Sequence, residues 1–433
     1  MKKISILLTA SAFMFLSFSV SAEVVASGTN CGSNCSWSLD SDGNVNVTGT
    51  GTITSSPWSS STYKDQVTSI TTTGDIKGGV SCINCSNLTE VTLSENVSSL
   101  GWHAFMGTGL TNIVVPEGSN LTTIGDAAFS GTNISSISIP STVTTIGGGA
   151  FDGTKLTSLT IPDSVTSGVS CLNCSELTEV TLGKNVSSLG WHAFMGTELT
   201  SIVIPEDSNL KTIGDAAFNG TNISSISIPN TVTTIGGGAF DGTKLTSLTV
   251  PDSVTSGISC INCSELTEVT LGKNVSSLSW HAFMGTGLTS IVIPEDSNLK
   301  TIGEAAFSGT KIESLVIPDT VTTIGGAAFY GVSLSAITCS EENLARYLAT
   351  GGVFKEGAVI SCHKGSCENA LKGTKWEGKV SVAYPSEEKT LADGSTAIYK
   401  DGKFVGYKHK RIYTVEEANA VAKDKNKVAI RYR

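Results

Sequence analysis

Six cysteines stand as three C-x-N-C pairs, Cys82/Cys85, Cys171/Cys174 and Cys260/Cys263. Two thiols at that spacing can cycle electrons or supply half of a zinc site. A redox pair of this kind sits at a helix start in a strand–helix–strand context, and no such pattern surrounds these. The pairs recur every 89 residues, a period that divides into four shorter ones. Successive pairs therefore stand four turns apart, roughly 19 Å at the spacing of stacked strands. That is too far to share a metal, and too far for a disulfide, whose Cα atoms lie within about 7 Å. Each first Cys also takes the place of a core Phe. Two readings follow, a small buried residue or a local disulfide. The expected bonds are Cys82–Cys85, Cys171–Cys174 and Cys260–Cys263.

The remaining cysteines lie at the two ends of the repeated region. Cys31 and Cys35 suit another local bridge. Cys339 and Cys362 are 23 residues apart, one repeat length, and each ends a strand-like run. Adjacent strands would bring them within reach, so a Cys339–Cys362 bond is expected. With eleven cysteines, that leaves Cys367 odd.

The block Trp-His-Ala-Phe-Met-Gly also recurs at each long step, giving Trp102/His103, Trp191/His192 and Trp280/His281. Sister units carry Asp-Ala or Gly-Gly there, and the Ala-Phe that follows fills the core. The Trp and His side chains are thus expected near the surface. An exposed Trp can stack on a sugar or anchor a partner. It can equally just cover the next turn. Three His roughly 19 Å apart cannot share a metal.

Positioning these residues is the work of a short period of 21 to 24 residues, read as L-x-x-I-x-I-P … V-x-x-I-G-x-x-A-F-x-G. Units start at Val67, Leu88, Leu110, Ile134, Leu156, Leu177, Leu199, Ile223, Leu245, Leu266, Leu288 and Ile312. A period of this size means a solenoid whose units contact only their neighbours. Each unit opens with a strand in which alternate residues face inward. Pro then stops it, because Pro cannot donate to a ladder. Pro116, Pro140, Pro162, Pro205, Pro229, Pro251, Pro294 and Pro318 all stand at this point. A lone unit buries too little apolar surface to offset the entropy of ordering it, so both ends need caps. Trp37 to Val47, turning at Asp42-Gly43, is a hairpin signal at the first end. Ser340 to Gly351 reads as a short helix at the other.

The repeat resembles the BspA-type leucine-rich repeat, also called the Treponema pallidum type, over about 31–340. The stretch from Cys31 to Gly43 is similar to the segment that often precedes such repeats. The resemblance implies a secreted or surface bacterial protein, some relatives being adhesins, and it implies no catalysis. Thr108, Thr132 and Thr154 stand in the turn where many family members carry Cys. The family's binding residues are not set by motif, so none is carried over.

The expected organisation is a mostly β solenoid with one parallel strand per repeat. A signal peptide covers 1–22: Lys2 and Lys3, an apolar run through Phe18, then Val20-Ser21-Ala22 as a small-residue cleavage site. An N-terminal β cap covers 23–66, twelve repeats cover 67–333, degenerate repeats cover 334–362, and a basic module covers 363–433. That module carries 15 Lys/Arg against 9 Asp/Glu, net +6; the chain totals −10, which leaves −16 on residues 1–362. An acidic body argues against nucleic acid as a partner. The basic tail could dock to an anionic envelope component. In it, Ser395–Tyr399 and Lys403–Tyr407 read as a hairpin around Asp401-Gly402, Thr414 to Glu417 as a capping box, and Lys427 to Arg433 as a last strand.

The outward strand positions form the candidate binding face: Glu90/Thr92, Asn112/Val114, Ser136/Ser138, then Glu179/Thr181 and Glu268/Thr270. It is flat and hydroxyl-rich, and no acid–base or nucleophile–base pair converges on it. The expected function is therefore adhesin-like binding of a protein or cell-surface ligand, with no enzyme activity, metal or cofactor. A structural, polysaccharide- or ice-binding Ser/Thr surface is the alternative.

Overall fold

The computed structural model describes residues 22–294 and 296–383, and the backbone of strands 387–390, 396–400 and 403–409. Residues 1–21 of the expected signal peptide 1–22, the expected Asp401-Gly402 turn, the expected capping box at Thr414 and the expected final strand lie outside the described residues. The chain divides into two compact units, residues 1–157 and 158–433.

The first unit begins with the cap. Val24–Gly28 pairs antiparallel with Cys35–Asp40, which pairs antiparallel with Asn44–Gly49. The hairpin turns at Gly43, whose φ of 88° is open to glycine at little cost. Asn44–Gly49 then runs parallel to Ser69–Gly74, and so templates the first coil. Ser69–Gly74, Glu90–Thr92 and Asn112–Val114 follow in parallel, Val91 standing beside Ile70 and Ile113. Beneath the cap, Trp58 is fully buried and its Nε1 donates to Ser81 O at 3.0 Å. Trp37 meets both Trp58 and Tyr63 edge-on.

The second unit repeats the same parallel scheme. Ser158–Thr160, Glu179–Thr181 and Ser201–Val203 stack in register, as do Ser247–Thr249, Glu268–Thr270 and Ser290–Val292. In both units a second set of two-residue strands makes another face, for example Ser188–Leu189, Thr212–Ile213 and Thr234–Ile235. Each unit is a stretch of β-solenoid. Ten of the twelve repeats open with a strand; those at Ile134 and Ile223 do not. Both isoleucines are nonetheless fully buried, and Thr157 and Thr246 N–H groups donate to Ser135 O and Ser224 O.

Rows of buried side chains fill the interior. Phe105, Phe129 and Phe151 stack at 5.7 and 5.8 Å between centroids, and Phe194, Phe218 and Phe240 do the same. Each of these rings is fully buried. In the turn after the Phe sits a buried Thr. Thr108, Thr132, Thr197, Thr221, Thr286 and Thr310 each donate Oγ1 to the carbonyl of the Phe three residues back, at 2.8 to 2.9 Å. The hydroxyl is thereby satisfied without water.

The coil continues beyond Ile312. Ser314–Val316, Ser333–Ser340, Val353–Lys364 and Ser381–Ala383 pair in parallel in that order. Helix Glu341–Ala349 caps this end; Ser340 Oγ accepts from Asn343 N–H at 3.3 Å, and Gly351 has φ 87°. Strands Glu387–Thr390, Thr396–Lys400 and Lys403–His409 form a separate antiparallel sheet.

Five disulfides are present: Cys31–Cys35, Cys82–Cys85, Cys171–Cys174, Cys260–Cys263 and Cys362–Cys367. The expected Cys339–Cys362 bond is not among them. Cys339 is the free thiol, fully buried, and Cys367 is paired. Cys339 and Cys362 are register partners on adjacent parallel strands. Parallel neighbours about 4.8 Å apart project their Cβ atoms side by side, whereas a disulfide needs Cβ atoms near 3.8 Å that turn toward each other. The short helix Cys367–Leu371 instead brings Cys367 back to Cys362 at a Cα distance of 5.5 Å.

Candidate functional site

The first candidate is the outward strand face. In the first unit Glu90 stands beside Asn112, and Thr92 beside Val114; Asn112 Nδ2 donates to Glu90 Oε1 at 3.3 Å. Ser136 and Ser138 are exposed but lie in the coil that lacks an assigned strand. In the second unit Glu179 neighbours Ser158 and Ser201, while Thr181 neighbours Thr160 and Val203. Glu268 and Thr270 repeat the pattern beside Ser290 and Val292. Between these two rows Val91, Val180 and Val269 point inward and are buried. The alternation is what a half-buried sheet demands.

Beyond Val114, the face carries a recurring apolar position that the sequence reading missed. Val203, Val292, Val316 and Val359 are 43 to 52% exposed, as is Val114. Aligning the units would have shown a β-branched apolar residue recurring on the wet side of a strand. The hydroxyl rows are thus interrupted by apolar positions. Thr111, Thr200 and Thr289 also spend their hydroxyls on carbonyls of the preceding coil at 3.1 Å.

The second candidate is the Trp-His corner that follows the second sheet. Trp102, Trp191 and Trp280 are 67%, 72% and 64% exposed. The next residue, His103, His192 or His281, is left-handed with φ of 56 to 58°. His tolerates this region better than most L-residues. Its N–H donates to Asp126, Asp215 or Glu304 O in the next coil at 2.9 Å, and its carbonyl accepts from the Met N–H three residues on. That tight turn sends Ala-Phe inward and leaves Trp outside. Each His ring stacks on its Trp at centroid distances of 3.6, 3.9 and 4.1 Å, with planes 25 to 26° apart.

The cysteine pairs occupy neither face. Cys82 N–H donates to Ala104 O just as Phe105 N–H donates to Ala128 O, so Cys82 stands where Phe stands in other coils. Cys85 N–H bonds Cys82 O as Thr108 N–H bonds Phe105 O, so Cys85 stands in place of the turn Thr. All six of these sulfurs belong to fully buried residues.

A cleft of about 640 Å³ lies against the capping helix, walled by Asp319, Glu341, Glu342, Arg346 and Lys364. Several of these charges already have partners. Arg346 holds Val321 O, Asn343 Oδ1 and Glu342, Glu341 accepts from Ser366 N–H, and Asp319 meets His363 Nε2 at 2.8 Å. Among the described residues no group of three or more His, Cys, Asp or Glu could hold a metal ion. No described helix is long and apolar enough to cross a membrane.

Parallel coils, an inward Leu/Ile/Phe pattern and a short opening strand in ten of the twelve coils define a leucine-rich-repeat solenoid. The BspA-type leucine rich repeat model matches residues 61–119, 118–209, 193–308 and 282–347, and the chain belongs to that family. Among solved structures, a leucine-rich repeat protein from Bacteroides ovatus matches at 20% identity and a TM-score of 0.58, covering 78% of this chain and 99% of its own. A leucine-rich repeat protein from Eubacterium ventriosum matches at 25% identity and 0.44, covering 71% and 95%. A leucine-rich cell surface protein from Faecalibacterium prausnitzii matches at 19% and 0.36, covering 84% and 95%. Of these three, the Bacteroides ovatus protein supports the fold. No curated protein matches the chain.

Proposed function

We propose that the protein is exported, held at the bacterial cell surface and binds a protein ligand through its outward strand face, as an adhesin does. The observation that carries this is the face itself: two parallel rows of small exposed side chains in strict register, with Val203, Val292 and Val316 open to water. Such a surface offers no reactive group, but it offers flat apolar contact rimmed by hydroxyls and sparse Glu, which suits a protein partner. An ice lattice would be better served by unbroken Ser/Thr rows. The basic tail supplies attachment, its net +6 being drawn to an anionic envelope.

The test uses the mature chain on an array of host and matrix proteins. Retention of at least one protein is expected, and the double variant Val203→Lys, Val292→Lys should lose it while keeping its far-UV spectrum. An array blank for every protein sinks the reading. Fractionation of the producing cell, with and without residues 363–433, tests display: full-length protein belongs in the envelope fraction and the truncated form in the medium. Full-length protein found in the cytosol would end that part of the proposal.

A further inference from the structure

We propose that the three Trp-His corners are saccharide subsites for a neutral polysaccharide, separate from the protein-binding face. The starting point is that the fold does not need Trp at this position. In the next coils the same corner is Asp126 then Gly148, Asp215 then Gly237, Glu304 then Gly326, all exposed. Yet all three copies of the quartet carry the same Trp-His pair. Other exposed positions differ among those copies: Thr122, Lys211 and Lys300 are equivalent, and so are Gly118, Asp207 and Asp296. A large apolar ring left in water at the same corner of every copy, where Gly folds as well, is the observation the proposal starts from.

The surroundings of the ring specify the ligand. His covers one side of each Trp, and the residue as a whole is still 64 to 72% exposed. A fixed flat aromatic surface suits the C–H side of a pyranose ring. Beside it stands a carboxylate of the next coil, Asp126, Asp215 or Glu304, able to accept from sugar hydroxyls. The Oδ1 atoms of Asp126 and Asp215 are positioned by Gly148 and Gly237 N–H groups at 2.8 Å.

One coil further on the surface is bare. Gly147 is obligatory, because a Cβ there would meet Asp126 N at 2.2 Å. Gly148, Gly237 and Gly326 are different: a Cβ would meet nothing within 4 Å, and none has positive φ. The backbone does not require glycine at these three places. Their bareness leaves the surface open in the coil that follows the carboxylate.

Charge selects among polysaccharides. The carboxylate at each corner, and the −16 carried by residues 1–362, repel an anionic glycan. A single aromatic per corner is not the cage that a quaternary ammonium ion favours. A neutral chain of pyranose rings remains. Trp191 and Trp280 lie four coils apart in one unit, roughly 19 Å, so a repetitive ligand can engage both and gain avidity.

The experiment uses the full mature chain. Soluble neutral glucan, mannan and xylan are tested by affinity electrophoresis, insoluble cellulose and chitin by pull-down, and polygalacturonate is the anionic comparison. The expected result is retention by at least one neutral polysaccharide, unaffected by added salt. Single Trp→Ala variants at 102, 191 and 280 should each weaken it about 3- to 10-fold, and the triple variant by roughly 100-fold or more. In the wild type, the bound polysaccharide should protect these three Trp from N-bromosuccinimide oxidation, mapped by mass spectrometry. That reading does not depend on any variant folding. No retention on any neutral polysaccharide, retention unchanged in the triple variant, retention by polygalacturonate alone, or no protection of the three Trp each overturns the proposal. Loss of the array-captured protein in the Trp variants, with saccharide binding unchanged, overturns it too and makes these corners part of the protein site. The Val→Lys variants should leave saccharide binding intact, so the two readings fail separately.

Discussion

Removing residues 177–265 would join Glu176 to Leu266 and delete one 89-residue quartet from the second unit. The structure predicts a shorter protein with the same architecture. Strand Glu268–Thr270 normally pairs with Ser247–Thr249 on one side and Ser290–Val292 on the other. After the excision it inherits Ser158–Thr160, the present partner of Glu179–Thr181, with the same Ser-Leu-Thr sequence as Ser247–Thr249. Leu266 replaces Leu177, both fully buried, and Cys171–Cys174 takes the place of Cys260–Cys263. No new cavity or unpaired strand is made. At about 0.7 kcal/mol per residue near 60 °C, the loss of 89 residues should lower the calorimetric unfolding enthalpy by about 60 kcal/mol. Differential scanning calorimetry measures this from peak area, which needs no two-state assumption in a repeat array. The midpoint should move by only a few degrees. Absence of a cooperative endotherm in the shortened chain would refute the claim that like coils are interchangeable neighbours.

Two further outcomes follow from buried groups. Thr221→Val removes a fully buried hydroxyl that donates to Phe218 O at 2.9 Å; the urea midpoint should report a loss of about 1 kcal/mol, and an unchanged midpoint would contradict the role given to the turn Thr. Burial, with Asp319 adding to it, pushes the Cys339 thiol up to about 12. It should therefore be inert to thiol reagents in the native state near pH 8 and react once per chain in guanidinium. The unfolded thiol ionises near 8.5, so between about pH 9 and 12 the unfolded chain binds fewer protons than the folded one. Stability contributed by this site must then fall as pH rises through that window. Cys339→Ala should lessen that fall, measured by urea unfolding across the same pH range; parallel pH profiles for the two proteins would refute the assignment.

Much of this architecture was legible because it is periodic. Six of the eight prolines at one register mark where strands end, Pro140 and Pro229 following coils without one, and the inward positions of Val91, Val180 and Val269 followed from alternation alone. The ends were harder, because they do not repeat. Sequence separation correctly placed Cys339 beside Cys362, but adjacency in a parallel ladder is not the Cβ geometry a disulfide needs, and the small helix carrying Cys367 had no periodic signature. Trp58 under the N-terminal cap was invisible for the same reason: Trp58 and its ring partner Trp37 both lie in the segment ahead of the repeats. At the candidate sites, the surface location of the three Trp could be inferred from the filled Ala-Phe core. The stacking of His on Trp, and the open space above Gly148, could not be inferred, since both depend on a left-handed turn and on what the next coil leaves bare.

The row of rings along the interior is broken once per quartet, where a cystine stands in for Phe and Thr together. An aromatic side chain is indifferent to redox conditions; a cystine is not. At those coils cohesion depends on oxidising conditions. A reductant would leave the Phe rows untouched and thin the wall at regular stations, like a perforated strip. Protease susceptibility under reducing conditions should accordingly begin near Cys82, Cys171 and Cys260, spaced one quartet apart.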